Sequence, residues 1–252
     1  MTEVALPREV PLPRLVPALL SFVAGYVDIY TFLGLFGLFV AQVTGSFVTA
    51  GAELVTHDPG ILGKVLAIVA FLLATAASAG LIRLGRHRGW EILPIMLGLE
   101  AALLVVFCIL VLAGPGLTSA NDRSGIIAGV FAAMAMGTQS VIVRLLMRGI
   151  PQTNVMTGNM TQIGVETIDF LAAWLKCGRA PGNRENQREL AAVRARLLTV
   201  LAIAFGFLVG AACGAVSYAK AGLAGAPLAV VIVGALALWA AQRERNYQGK
   251  RP

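Results

Sequence analysis

The sequence predicts an all-α integral membrane protein of two homologous halves, with about six membrane-crossing helices and two re-entrant or broken helical segments. Three observations carry this expectation. Of the 252 residues, 58% are hydrophobic and only 13% are charged, about half the charge of an ordinary soluble domain, and mean hydropathy is +0.80. Apolar runs of around 20 residues recur along the chain, each long enough to cross a hydrocarbon core of ~30 Å. The polar triplet Thr44-Gly45-Ser46 returns as Thr157-Gly158-Asn159, 113 residues later.

The repeat extends beyond the triplet. At the same offset Gly51 falls on Gly164 and Glu53 on Glu166. With one residue of slippage, Ser21-x3-Gly25-x2-Asp28 falls on Ala133-x3-Gly137-x2-Ser140, and after a longer insertion Phe71-x8-Gly80 falls on Phe205-x8-Gly214. The unit covers 1–118 and recurs over 119–252, two membrane repeats that together form one transmembrane domain.

Taken in order, Met1–Arg14 is polar and contains proline. The apolar run after it is too long for a signal peptide and lacks a cleavage site, so no removable leader is expected. The first segment, Leu15–Phe36, carries Asp28 on a stripe of small and polar residues at helical spacing, Ser21, Gly25, Asp28 and Thr31. Leu38–Val55 holds the first Thr-Gly motif. Ile61–Leu84 runs into the basic cluster Arg83, Arg86 and Arg88. Ile92–Ala113 contains Glu100. Ser124–Met147 repeats the stripe as Ala133, Gly137, Ser140 and Arg144, and Thr153–Leu175 holds the second motif. Ala195–Ala219 contains the small-residue zipper Gly206-x3-Gly210-x3-Gly214. Leu223–Ala241 is apolar up to Trp239. Alanine, leucine and glycine dominate, and no ten-residue alternating units of a β-barrel are present. Helices are then the remaining way to satisfy backbone groups in lipid.

Positive charge tests the topology. If all eight segments cross, starting from a cytoplasmic N-terminus, 14 of the 20 Lys and Arg residues lie inside. If the two Thr-Gly segments dip in and return, six helices cross and only Lys64, Arg123 and Lys220 lie outside. The tendency of cytoplasmic loops to collect Lys and Arg prefers six crossings; seven or eight full spans stay open as alternatives. Three crossings per repeat would invert the halves, and inverted repeats with broken helices build many transporter sites. The net charge of +7 belongs to such loops rather than to a nucleic-acid surface.

Several polar residues stand out against this background. An acid within an apolar helix is costly and marks a functional group, so Asp28 and Glu100 are candidates for coupling or gating. Packing of the two stripes would bring Asp28 towards Arg144, unless Arg144 reaches to the cytoplasmic surface. The motifs supply uncharged donors and acceptors (Gln42, Thr44, Ser46; Asn154, Thr157, Asn159), and Gly45 and Gly158 permit a break or close backbone approach. These residues are the candidate solute site. Glu166 and Asp169, and Glu53 beside His57 and Asp58, read as solvated or vestibule acids near a membrane face. The glycine zipper Gly206, Gly210, Gly214 suits tight helix contact, within the chain or in a homodimer. His57 and His87 are too few for a histidine metal site. No phosphate-binding loop, Ser-His-Asp set or His-Glu-x2-His motif is present, so no cofactor is expected. The cysteines Cys108, Cys177 and Cys213 show no pairing pattern.

Ala24-Gly25-Tyr26-Val27-Asp28, then Phe39-Val40-Ala41-Gln42-x-Thr44-Gly45-Ser46, then Thr153-Asn154-x2-Thr157-Gly158-Asn159-x-Thr161, resemble the YoaK-like family of uncharacterised bacterial inner-membrane proteins. The likeness covers nearly the whole chain. Ser46 stands where such proteins usually carry Asn, as the second copy does at Asn159. The resemblance implies a multi-helix plasma-membrane protein and supplies no reaction or substrate. The residues favour a secondary transporter or channel-like permease for a small polar solute. A membrane enzyme acting on a lipid-linked substrate and a non-catalytic scaffold are the alternatives.

Overall fold

The computed structural model describes residues 13, 15–57, 59–114, 117–180 and 182–248. Among them eight α-helices follow in order, without a strand: α1 (Leu15–Gly34), α2 (Val43–Thr56), α3 (Ile61–His87), α4 (Ile92–Ala113), α5 (Arg123–Leu146), α6 (Met156–Arg179), α7 (Arg184–Ala221) and α8 (Pro227–Gln248). Six of these, α1, α3, α4, α5, α7 and α8, are long and apolar enough to cross a membrane. The two left over carry the Thr-Gly motifs. With 14 residues, α2 is about 21 Å long, short of a ~30 Å core. The longer α6 carries Glu166, Asp169, Lys176 and Arg179 along its length.

Helix α1 runs parallel to α7, and the approach is made by glycines. A Cβ on Gly206, Gly210 or Gly214 would lie 2.5, 2.0 or 3.1 Å from the carbonyl oxygens of Ala18, Phe22 and Tyr26, and one on Gly25 would lie 2.3 Å from that of Phe207. The zipper is thus spent on contact within the chain. Tyr26 and Tyr30 tie the same pair together through Ser217 Oγ at 3.1 and 2.8 Å. Helices α3 and α5 are also parallel. A Cβ on Gly137 would meet the Phe71 carbonyl at 2.8 Å, Ser78 and Thr138 share a hydrogen bond, and Arg86 donates to the Leu145 carbonyl. Between the pairs the direction reverses. Gln139 on α5 reaches Leu20 on α1, whereas Gly129 of α5 faces Leu35 and Leu38 beyond the other end of α1. α4 packs on α5 and α8, α2 on α3, and α6 on α7.

These directions define two ends. At the near face α1 begins and α3, α5 and α8 end; at the far face α1 ends and α3 and α5 begin. With 38 residues, α7 is about 57 Å long. Gly206 is level with Ala18, so the turns from Arg184 to Arg196 project past the near end of α1. Asn183 starts α7 by accepting from the backbone N–H of Glu185 and Asn186. Basic side chains collect at the near face, where Arg88 and Arg243 lie over the rings of Trp90 and Trp239 at 5.4 and 5.3 Å, a pairing that suits a membrane interface.

Candidate functional site

The site is built where the chain doubles back. After α1 the positive φ angles of Phe36 (54°) and Gly37 (78°) reverse the backbone, and the following segment descends alongside α1. Asp28 catches it. Its Oδ1 accepts from the N–H groups of Val40 and Ala41 at 2.8 Å each, and its Oδ2 from that of Gln42 at 3.3 Å. The carboxylate, 3% exposed, thus sits ahead of α2, where unsatisfied N–H groups and the helix dipole favour an anion. From this mid-height start α2 climbs back to the far face.

The second half makes the corresponding return towards the near face, with different side chains. Gly149 (φ 76°) turns the chain after α5. Asn154 then donates to Ser140 Oγ at 2.7 Å and to the Ala41 carbonyl at 3.2 Å. Gln139 donates to Thr153 Oγ1 and the Leu20 carbonyl, and Ser21 donates to the Thr153 carbonyl. The segments that open α2 and α6 therefore touch, through Asn154 and Ala41, between α1 and α5. Each segment is closed by the last residue of its motif. Ser46 Oγ donates to the Phe39 carbonyl at 2.7 Å, and Asn159 Nδ2 donates to the Gln152 carbonyl at 2.7 Å. Both bonds reach back seven residues. Serine in place of asparagine keeps this bond.

Of the expected site residues, Asp28, Ser46, Asn154 and Asn159 are buried at this crossing. Gln42 and Gly45 are half-buried, and Thr44, Thr157 and Gly158 are exposed on the outward side of their helices. The motifs thus split into an inward anchor and an outward first turn. Among the described residues no ion pair joins Asp28 to Arg144. The antiparallel course of α1 and α5, with Leu20 level with Gln139, puts them about 20 Å apart along the helices, and Arg144 is exposed. Glu100 is 0% exposed, and neither of its carboxyl oxygens has a hydrogen-bond partner. It lies on α4, outside the bonds that form the crossing.

Three features escaped the sequence reading. Gln139, 0% exposed, is a central member of the crossing, signalled only as a lone amide beside the Gly137–Ser140 stripe. Of the acids expected on solvated faces, Asp169 is exposed and Asp58 lies outside the described residues, but Glu53 and Glu166 are enclosed. Glu53 pairs with the buried Lys64, whose Nζ also donates to the Phe36 carbonyl at 3.1 Å. Glu166 receives Arg196 Nε at 3.1 Å on both oxygens. The available signal was the spacing of the two acids, 113 residues like that of the Thr-Gly motifs, each with a base in the following long helix.

Six apolar helices, with α2 and α6 starting from a shared polar crossing, define an all-helical, polytopic membrane protein. Residues 16–240 match the family described as protein of unknown function (DUF1275), and the chain belongs to that family. No curated protein and no solved structure matches it.

Proposed function

We propose that this protein is a secondary transporter or channel-like permease for a small polar solute, resident in the bacterial inner membrane with both termini cytoplasmic. The observation that carries the reading is the contact between the segments that open α2 and α6, Asn154 to Ala41, midway along α1 and α5. Irregular backbone at membrane depth is tolerated where protein buries it or where it lines a polar cavity, and paired half-helix ends at the midplane form transporter sites. The spare groups there are acceptors. Gln139 Oε1, Asn154 Oδ1 and, also in the segment that opens α6, Gln152 Oε1 are buried without a donor, which favours a solute that brings hydrogen-bond donors.

Two further features support the reading. The parallel pairs α1/α7 and α5/α3, with Gly25 and Gly137 at matching close approaches, fit an inverted internal repeat over 1–118 and 119–252. The basic near face fits a cytoplasmic orientation. Within the family, the paired Thr-Gly motifs favour a YoaK-like placement. Glu100, buried without a partner, is the residue best suited to carry a coupling proton or cation.

The test places a single cysteine at Ser140 or Thr153 after Cys108, Cys177 and Cys213 have been replaced. Sealed vesicles are then treated from each side with a small membrane-impermeant thiol reagent. Labelling from at least one side is expected. A folded protein that labels from neither side at both positions would leave the crossing as packing and the protein as a scaffold.

A further inference from the structure

The two ion pairs described above occupy opposite ends of the molecule. Lys64 lies in the first turn of α3 and bonds the Phe36 carbonyl just past α1, so the Glu53–Lys64 pair is at the far face. Arg196 precedes, by ten residues, the glycine that packs level with Ala18, so the Glu166–Arg196 pair is at the near face. The acids stand 113 residues apart at the same place in the repeat. Each joins the helix that starts from the central crossing, α2 or α6, to the following long helix.

The surroundings of the two pairs differ sharply. The Lys64 and Glu53 side chains are 3% and 15% exposed. Beside them, a cavity of about 20 Å³ lined by Phe36, Leu38, Gly60, Ser119 and Ala120 has room for a single water. At the near face the Arg196 side chain is 53% exposed and Glu166 is 9% exposed. A desolvated pair is hard to separate, because either charge left alone in the interior is unfavourable. A pair with one partner in water is screened and separates readily.

We propose that these pairs are gates of unequal strength on the pathway. Glu53–Lys64 draws α1, α2 and α3 together and keeps the far face shut, while Glu166–Arg196 yields first and opens the near face to the crossing. This rests on the permease reading.

Accessibility of a central cysteine tests it without knowledge of the solute. In the cysteine-free background, Ser140→Cys is labelled from each side of sealed vesicles with a membrane-impermeant methanethiosulfonate. Labelling from the near face is expected to be faster than from the far face by about tenfold or more, a common scale for coupled conformational change. Lys64→Met raises the far-face rate by about tenfold, Lys64→Arg leaves it slow, and Arg196→Met leaves it unchanged. Should Lys64→Met fail to fold, Glu53→Gln, which keeps the shape and an acceptor for Lys64, makes the same measurement. A far-face rate unmoved in the folded variants, with near-face labelling intact, overturns the gates and leaves the permease standing. A rise in Lys64→Arg as large as in Lys64→Met also overturns them, since packing rather than charge would then hold the face shut. Silence from both faces in every variant brings down both readings.

Discussion

Asp28 looked, in an apolar helix, like a charge in search of a cation. It holds backbone instead: three N–H groups of one descending segment converge on its carboxylate. Asn at this position keeps one acceptor oxygen and loses the charge that strengthens all three bonds, and each bond to a charged group is worth ~1.5–3 kcal/mol. Asp28→Asn is therefore expected to lower stability by about 2–3 kcal/mol, read by thermal unfolding in detergent. An unchanged melting curve would mean that the segment is held without the charge. Glu100 poses the reverse case, a buried carboxyl with no partner. Its replacement by Leu should stabilise the fold by about 1–3 kcal/mol, the usual cost of a buried polar group without a hydrogen bond, at the expense of function. A lower melting temperature would point to a partner gained in another conformation.

Outside the crossing helices, Asp122 just before α5 is held below the usual Asp range by the backbone N–H groups of Ser119 and Thr118. Because its folded value is depressed, the stability it contributes is fully present above the unfolded value of about 3.9 and disappears as pH falls through the lower folded value. The melting difference between the natural protein and Asp122→Asn should be constant from neutral pH down to about pH 5 and close below pH 4. A difference that instead grows on acidification would reverse the sign of the effect.

At the scale of elements, small residues decide which helices meet. Ala at Gly210 would put its Cβ 2.0 Å from the Phe22 carbonyl oxygen, whereas Gly234 in α8 has nothing within 4 Å of the same position. Gly210→Ala should push α7 off α1 and cost about 1–3 kcal/mol in thermal unfolding, and Gly234→Ala should be neutral or gain up to ~1 kcal/mol. Equal effects at the two sites would mean that the α1–α7 approach is looser than its geometry. The helices themselves were legible because hydropathy and length report directly on crossing a bilayer. The Thr-Gly motifs were legible as polar interruptions of the apolar pattern, but the helices break just ahead of them, and Gly45 and Gly158 lie in the first turns of α2 and α6. The inward side of the motifs was not legible. Ser46 and Asn159 turn inward and Thr44 and Thr157 outward because each helix packs on only one neighbour, and no periodicity within the helix reveals which one. Gln139 was missed for a related reason: a single amide in an apolar run gives no sign of what it will reach across the bundle.

For the whole molecule, the reversed course of α1 and α5 lets α2 and α6 start at one buried crossing and leave towards opposite faces. Six crossings require this, because each half must then end on the side opposite to where it began. Eight crossings would return each half to its starting side and make α1 and α5 run the same way. The two arrangements therefore disagree about particular turns. With six, the α3–α4 turn around His87 shares a side with the termini, and the α4–α5 turn around Thr118 lies opposite. With eight, both assignments reverse. A single cysteine at His87 should label from the cytoplasmic side alone, and one at Thr118 from the other side alone. The opposite result at both positions would make α2 and α6 full spans. It would also put both of their N-termini at one membrane face and remove the mid-membrane crossing on which the permease rests.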